Sequence, residues 1–317
     1  MNYRSNNNIF IKIALDFLDY LEEYCFSNDI REIIFLGDMF EKSSRIRHEA
    51  FVPLFLKLFE KKSKGLSFIF ILGNHDIYSI DNDSIVETFK PLGRVIKEGL
   101  FQDRCFSYLP YTKDPNKIQK ETGYLFTHLA IADFQFDNFY NANETIAMKR
   151  ELFSSYKWVF TGHFHKHQVK DNIVYVGDPY QLHFGERDTP KGFVVLDSET
   201  NIWKFIEYTN APTFKMIDVE NFNDIDVKNC FVGVKIERKI ENFVKLKYIL
   251  YERGALDVIP FFETKKEVEI NSGETDHIRH VSSIPTMTKE FLTSIKVDNI
   301  DNKKLLKLYE KVLEKIG

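Results

Sequence analysis

The sequence is poor in cysteine, in net positive charge and in long apolar runs, and each shortage closes off a class of function. Cysteine occurs three times, at Cys25, Cys105 and Cys230. The three are far apart and odd in number, so they form neither a CxxC zinc pattern nor a disulfide framework, which suits a reducing cytosol. No apolar run approaches the ~18 residues of a membrane span, and no basic-then-apolar leader precedes the polar stretch Asn2 to Asn8. The expectation is a soluble, cytoplasmic protein. The net charge of −4 does not announce a nucleic-acid binder. If the substrate is DNA, local charge, bound cations or a partner must supply the attraction. There is no internal repeat and no low-complexity segment. Aromatic residues, in contrast, are abundant: thirty Phe and fifteen Tyr, most of them read as core filling.

Periodicity gives a coarse order of elements. Phe10, Ile13, Ala14, Phe17, Leu18 and Leu21 recur at helical spacing, and Asn28-Asp29 ends that helix. A strand over Ile33 to Leu36 follows, then a helix from about Glu49 to Lys61. Further strands are expected at Phe68 to Leu72, Tyr124 to Phe126, Trp158 to Phe160, Ile173 to Val176, Gly192 to Leu196 and Trp203 to Ile206. They place a first domain over 1–208. A small α/β module over 213–284 follows, with strands at Phe231 to Ile236 and Val258 to Phe262 around a helix from Phe243 to Tyr251. Ser272 to Ser283 reads as a polar loop. A helical tail over 285–317 holds two amphipathic patterns, one of them from Asp301 to Ile316 with Leu305, Leu308, Tyr309, Val312 and Ile316 on one stripe.

Four short segments end apolar runs in fixed order: Gly37-Asp38, Gly73-Asn74-His75-Asp76, Thr127-His128 and Gly162-His163-Phe164-His165. Side chains at the C-terminal ends of neighbouring strands of an α/β fold converge in one crevice. A carboxylate, a neutral amide oxygen and imidazoles suit borderline divalent cations such as Mn²⁺, Zn²⁺ or Fe. Asp38 suits a bridge between two cations about 3.5–4 Å apart, an arrangement used in phosphoryl chemistry. Asn74, His128, His163 and His165 are further ligand candidates; His163 and His165, two apart, point the same way on an extended segment. His75 is the candidate general acid, and Asp76 is expected to orient it by hydrogen bonding. Alone, Gly-Asp is an ordinary turn and His128 an ordinary structural histidine. Asn and His together at a strand end have little structural reason to pair. His48 and His167 read as surface residues, and His277 and His280 as uninvolved.

With these residues the chain resembles the calcineurin-like metallophosphoesterases, and within them the SbcD-type nuclease subunits, most closely the phage recombination-endonuclease branch. The subgroup rests on Tyr175-Val176-Gly177-Asp178-Pro179-Tyr180-Gln181-Leu182 and Phe184-Gly185-Glu186, followed by Lys191-Gly192-Phe193. The resemblance covers about residues 9 to 207. It implies an α/β fold: a β-sandwich flanked by helices, with a small α/β DNA-capping domain and C-terminal helices. It implies two divalent cations, Mn²⁺ first among them, exonuclease and endonuclease action on double-stranded DNA in recombination and repair, a homodimer, and an SbcC-type SMC-like ATPase partner bound by the tail.

Two departures accompany the match. The family's first strand ends in Asp-x-His, ligands of the first cation, and no Asp-x-His precedes Asp38. Without that strand, neighbouring strand edges lack a partner and the core holds a slot. The expectation is an internal start codon, a split gene or an incomplete sequence. After Gly37-Asp38-Met39-Phe40 this chain has Glu41 where cellular members often have His, a position that bears on exonuclease chemistry. Two alternatives stay open: a metallophosphoesterase for another phosphoester, and a non-catalytic chain keeping fold and partner binding.

Overall fold

The computed structural model describes residues 8–41, 46–79, 83–135, 147–220, 222–236 and 243–262. The polar loop from Ser272 to Ser283, His277, His280 and both tail helices lie outside the described residues.

In chain order the elements are α1 (Asn8–Ser27), β1 (Glu32–Leu36), α2 (His48–Ser63), β2 (Ser67–Ile71), β3 (Gly93–Ile96), β4 (Phe101–Asp103), β5 (Phe106–Leu109), β6 (Tyr124–Thr127), β7 (Trp158–Thr161), β8 (Gln168–Lys170), β9 (Ile173–Tyr175), β10 (Gly192–Asp197), β11 (Ile202–Glu207), β12 (Thr213–Asp218), β13 (Cys230–Ile236), α3 (Phe243–Glu252) and β14 (Asp257–Phe262). Within the described residues the expected helices and strands are present. β8 and β12 were not foreseen: β8 is three residues of mostly exposed polar side chains, and β12 buries Phe214 and Ile217, a spacing of three that breaks the alternation by which a strand is recognised.

Period-two alternation builds the layers. β1, β2 and β3 form a parallel sheet, and a six-stranded sheet runs in the order β4-β5-β6-β7-β9-β8. On β2, Phe68 and Phe70 face the helices while Ile69 and Ile71 face the other sheet. On β6, Tyr124 and Phe126 meet them across that interface, and Leu125 is buried in a second core on the opposite face of its sheet. One face of the first sheet is covered by α1 and α2, which contribute Phe10, Ile13, Phe17, Leu18, Leu54 and Leu58. The two helices are also joined by Lys61, 1% exposed, between Asp19 at 2.8 Å and Glu22 at 3.2 Å. The result is the anticipated β-sandwich with flanking helices.

β12, β13 and β14 form a separate parallel sheet whose core includes Leu246 and Leu250 of α3. The module seats on the first domain through aromatic stacking: Phe231 and Phe214, stacked on each other, lie 5.5 Å and 6.5 Å from Phe10 of α1. Among the described residues no helix is long and apolar enough to cross a membrane.

β1 pairs with β2 and β10 with β11, and neither has another partner among the described strands. A cavity of about 530 Å³ lies against both, lined by Ile34, Leu36, Val194, Leu196, Phe126 and Phe160 and reaching Asp38 and His165 at one end. Ile33, Ile34 and Leu36 of β1 and Val194, Val195 and Leu196 of β10 are all half-buried, as strands beside open space would be. A strand-forming apolar peptide ending in Asp-x-His should therefore raise the melting temperature when added, by about 2–4 °C per kcal/mol gained. An unchanged melting temperature shows that the slot takes no strand.

Candidate metal centre

β1, β2, β6 and β7 present their C-terminal ends to one region, and the four sequence motifs sit there. Gly37 and Asp38 both have positive φ, +82° and +47°, which turns the chain sharply off β1. A side chain at Gly37 would collide with the His128 ring, and one at Gly73 with the Asp38 carboxylate. Glycine is therefore required at both positions by close approach.

The side chains converge closely. Asp38 Oδ2 lies 3.2 Å from His128 Nε2. Asn74 Oδ1 lies 3.1 Å from His128 Nε2 and 2.9 Å from His163 Nδ1, and these two nitrogens are 3.2 Å apart. His128 Nδ1 donates to the Leu36 carbonyl at 2.7 Å, which fixes the tautomer and aims Nε2 into the cluster. A backbone acceptor behind the ring is the usual support of a metal-ligating histidine. Donor atoms of Asp38, His128 and His163 all lie within 4.8 Å of one another. A carboxylate, an amide oxygen and two imidazoles so placed fit a divalent cation.

Charge is shared unevenly. Burial alone would raise the Asp38 carboxyl, but His128 and the His75 amide, which donates to Oδ1 at 2.9 Å, hold it well below the usual range. Burial lowers His128, yet Asp38 beside it raises it overall. His163 is pushed down to about 3 by burial and by His128, so it is a neutral imidazole, the form that coordinates.

His165 lines the same cavity but turns to a different partner: its Nδ1 lies 2.6 Å from Glu186 Oε1. His75 is exposed at the rim, its Nδ1 donating to the Glu41 carbonyl at 2.8 Å. Asp76 does not orient it. The Asp76 side chain is fully buried and accepts the amides of Gly73 at 3.0 Å and Phe40 at 3.2 Å, pinning the two ligand loops to each other. Burial and the nearby Asp38 charge push its carboxyl up to about 6. The reason for the correction is direction: an aspartate just past a strand end can fold inward to satisfy loop amides, and two such amides outcompete one ring nitrogen. His48 is exposed as expected. His167 is not a surface residue; it is half-buried, stacked on Phe205 at 4.1 Å, with Nδ1 donating to the Tyr175 carbonyl.

Tyr111 was not anticipated. Its ring lies 6.2 Å from His128 and 5.9 Å from His163, and its amide is held by Leu72 at 2.8 Å. A lone tyrosine between motifs carries no sequence signal.

Residues 14–195 match the family model for calcineurin-like phosphoesterase. The chain belongs to the calcineurin-like phosphoesterase family. It is thus an enzyme of the phosphoester-hydrolysing class, and the family uses divalent cations, consistent with the donor set at Asp38. The chain is also similar to Exonuclease subunit 1 of Enterobacteria phage T4, with 23% identity over 306 residues, covering 87% of this chain and 88% of the relative.

The Asp76 contacts generate a test. Asp76→Ala leaves two buried amides unpaired, at about 1–3 kcal/mol each. A urea melt should show a matching loss of stability together with weaker cation binding. An unchanged midpoint would mean the two loops are held by something else.

Proposed function

We propose that this phosphoesterase is a DNA nuclease, a Mn²⁺-dependent exo- and endonuclease subunit that works with an SbcC-type ATPase in recombination and repair. The observation that carries the reading is the convergence of Asp38, Asn74, His128 and His163 at four strand ends. The similarity to the T4 exonuclease subunit along most of the chain supports DNA as the substrate.

Asp38, Asn74, His128 and His163 would hold one cation, and His165 faces the same cavity as a donor for a second. Bound there, the cations would supply charge to a phosphodiester and acidify water. Asn74 is neutral, which limits the negative charge an anionic substrate meets. His75 stands outside the donor cluster but is tied to it, because its amide donates to Asp38. With Nδ1 directed at Glu41, its Nε2 is the atom suited to deliver a proton to the leaving oxygen.

The experiment compares cleavage of double-stranded DNA with that of a nitrophenyl phosphodiester under Mn²⁺. Asp38→Ala should lose the cation held with Asn74, His128 and His163, and both activities with it. His75→Ala should keep cation binding and fall by about 10²–10⁴-fold in turnover. DNA cleavage by His75→Ala at the parental rate would remove the assigned acid, and cleavage of the small ester alone would favour another phosphoesterase.

The partner assignment concerns the tail, outside the described residues. Deletion of 286–317 should leave hydrolysis of the small ester intact and abolish both association with an SbcC-type ATPase and ATP-stimulated DNA cutting. Co-purification of the truncated protein with the ATPase would place the partner surface elsewhere.

A further inference from the structure

The segment from Gln181 to Glu186 touches two parts of the molecule at once. On one side it holds His165. Glu186 is 2% exposed, and its Oε1 accepts from His165 Nδ1 at 2.6 Å. Its Oε2 accepts from Lys191 Nζ and from the Leu182 amide, both at 2.9 Å. Lys191 also donates to the His165 carbonyl at 2.7 Å. His183 braces the same carboxylate. Its Nδ1 accepts the Gly185 amide at 3.0 Å, so its Nε2 carries the proton that faces Glu186 Oε1 at 3.0 Å. With the Nδ1 proton committed to Glu186, His165 keeps its lone pair on Nε2. A carboxylate behind an imidazole sets both the tautomer and the ring direction.

On the other side the same segment is seated in the small module. Gln181 Oε1 accepts the Phe214 amide of β12 at 2.7 Å. Phe184, two residues before Glu186, meets two module rings edge to face: Phe214 of β12 at 4.9 Å and Phe261 of β14 at 4.8 Å. Gly233 of β13 makes the room. A methyl group there would come within 2.8 Å of the Phe184 ring and 2.9 Å of the Phe261 ring. Along β13, Val232 and Val234 join the core under α3, while Phe231 joins the core of the first domain. Gly233 shares the Phe231 face by alternation. A glycine inside a buried strand weakens it and marks a close approach; here the approaching group is Phe184.

We propose that Phe184 is a positioning residue: seated against Gly233, it lets the small module set the ring of His165 through Glu186. Phe184 and Glu186 lie in one short helical turn, Phe184–Glu186, so a shift of the aromatic ring moves the carboxylate with it. Coupling of this kind runs through contiguous packed side chains and hydrogen bonds, and every link from Phe261 to His165 is present. The inference deepens the hydrolytic reading, on which it rests for the role of His165. It gives a function to the Gln181–Glu186 string and to Lys191, which the Asp38 cluster leaves unused. A substrate that presses on β12 or β14 would thereby alter the site.

The test reads the His165 ring itself. In the full chain with ¹⁵N-labelled histidine, at one pH and without added cation, the Nδ1 and Nε2 resonances of His165 report its bond to Glu186. They are assigned by their loss in His165→Asn. The variants are Phe184→Ala, Phe184→Leu, Phe261→Ala, the double Ala variant and Leu250→Val. Phe261 is 37% exposed, so its truncation spares the module core. Leu250 packs in the core on the opposite face of the module sheet and controls for mere destabilisation. Phe184→Ala and Phe261→Ala should each shift the His165 resonances, and the double variant no more than the larger single shift. Phe184→Leu should restore most of the parental position, and Leu250→Val should leave it unchanged. Resonances unmoved by both Ala variants, or moved equally by Leu250→Val, overturn the proposal. Hydrolysis is measured separately, with turnover expected to fall at least ~10-fold in Phe184→Ala. A parental protein whose resonances respond as stated but that cleaves no phosphodiester supports the coupling and counts only against the hydrolytic reading.

Discussion

A buried carboxylate constrains the rest of this molecule. Asp38 sits at the end of β1 with its charge largely withdrawn from water, and such a charge is tolerated only where donors are fixed around it. Each neighbouring feature answers that demand. His128 supplies Nε2 because the Leu36 carbonyl occupies its other nitrogen. The His75 amide supplies a second donor. Glycines at 37 and 73 let the loops approach closely enough for this to happen. Parallel strands β1, β2, β6 and β7 end together, so four loops distant in sequence share one small volume.

The same economy explains why the loops hold their shape. Asp76 contributes no ligand, yet its two backbone contacts fix Gly73 against Phe40. Lys191 and Glu186 do the equivalent work on the His165 loop. In both places a buried ionisable side chain, which costs free energy by itself, is satisfied by groups that position a donor. Functional geometry of this kind needs support from the layer behind it.

Much of this was legible in the sequence, and the unevenness has physical causes. Short continuous apolar runs bounded by turn residues, such as Phe68 to Ile71 and Tyr124 to Phe126, read as buried strands, and Asn beside His at a strand end has little structural reason to occur. A cavity lies beside β1 and β10. Sequence could not give the direction of Asp76, because a carboxylate chooses between backbone amides and a ring nitrogen only once the loops are placed. The turn of His165 toward Glu186 was hidden for the same reason: the pair is brought together by the fold after β9. Tyr111 joins the site through a backbone contact with Leu72, which no side-chain pattern records.

The central claim is that the cluster at the ends of β1, β2, β6 and β7 is a metal centre. Anomalous diffraction at the manganese edge, on crystals grown with Mn²⁺, tests it most directly. The account predicts a peak within coordination distance of Asp38 Oδ2, Asn74 Oδ1, His128 Nε2 and His163 Nδ1. A fully hydrogen-bonded cluster with no peak there, in crystals that bind Mn²⁺ elsewhere, would contradict it.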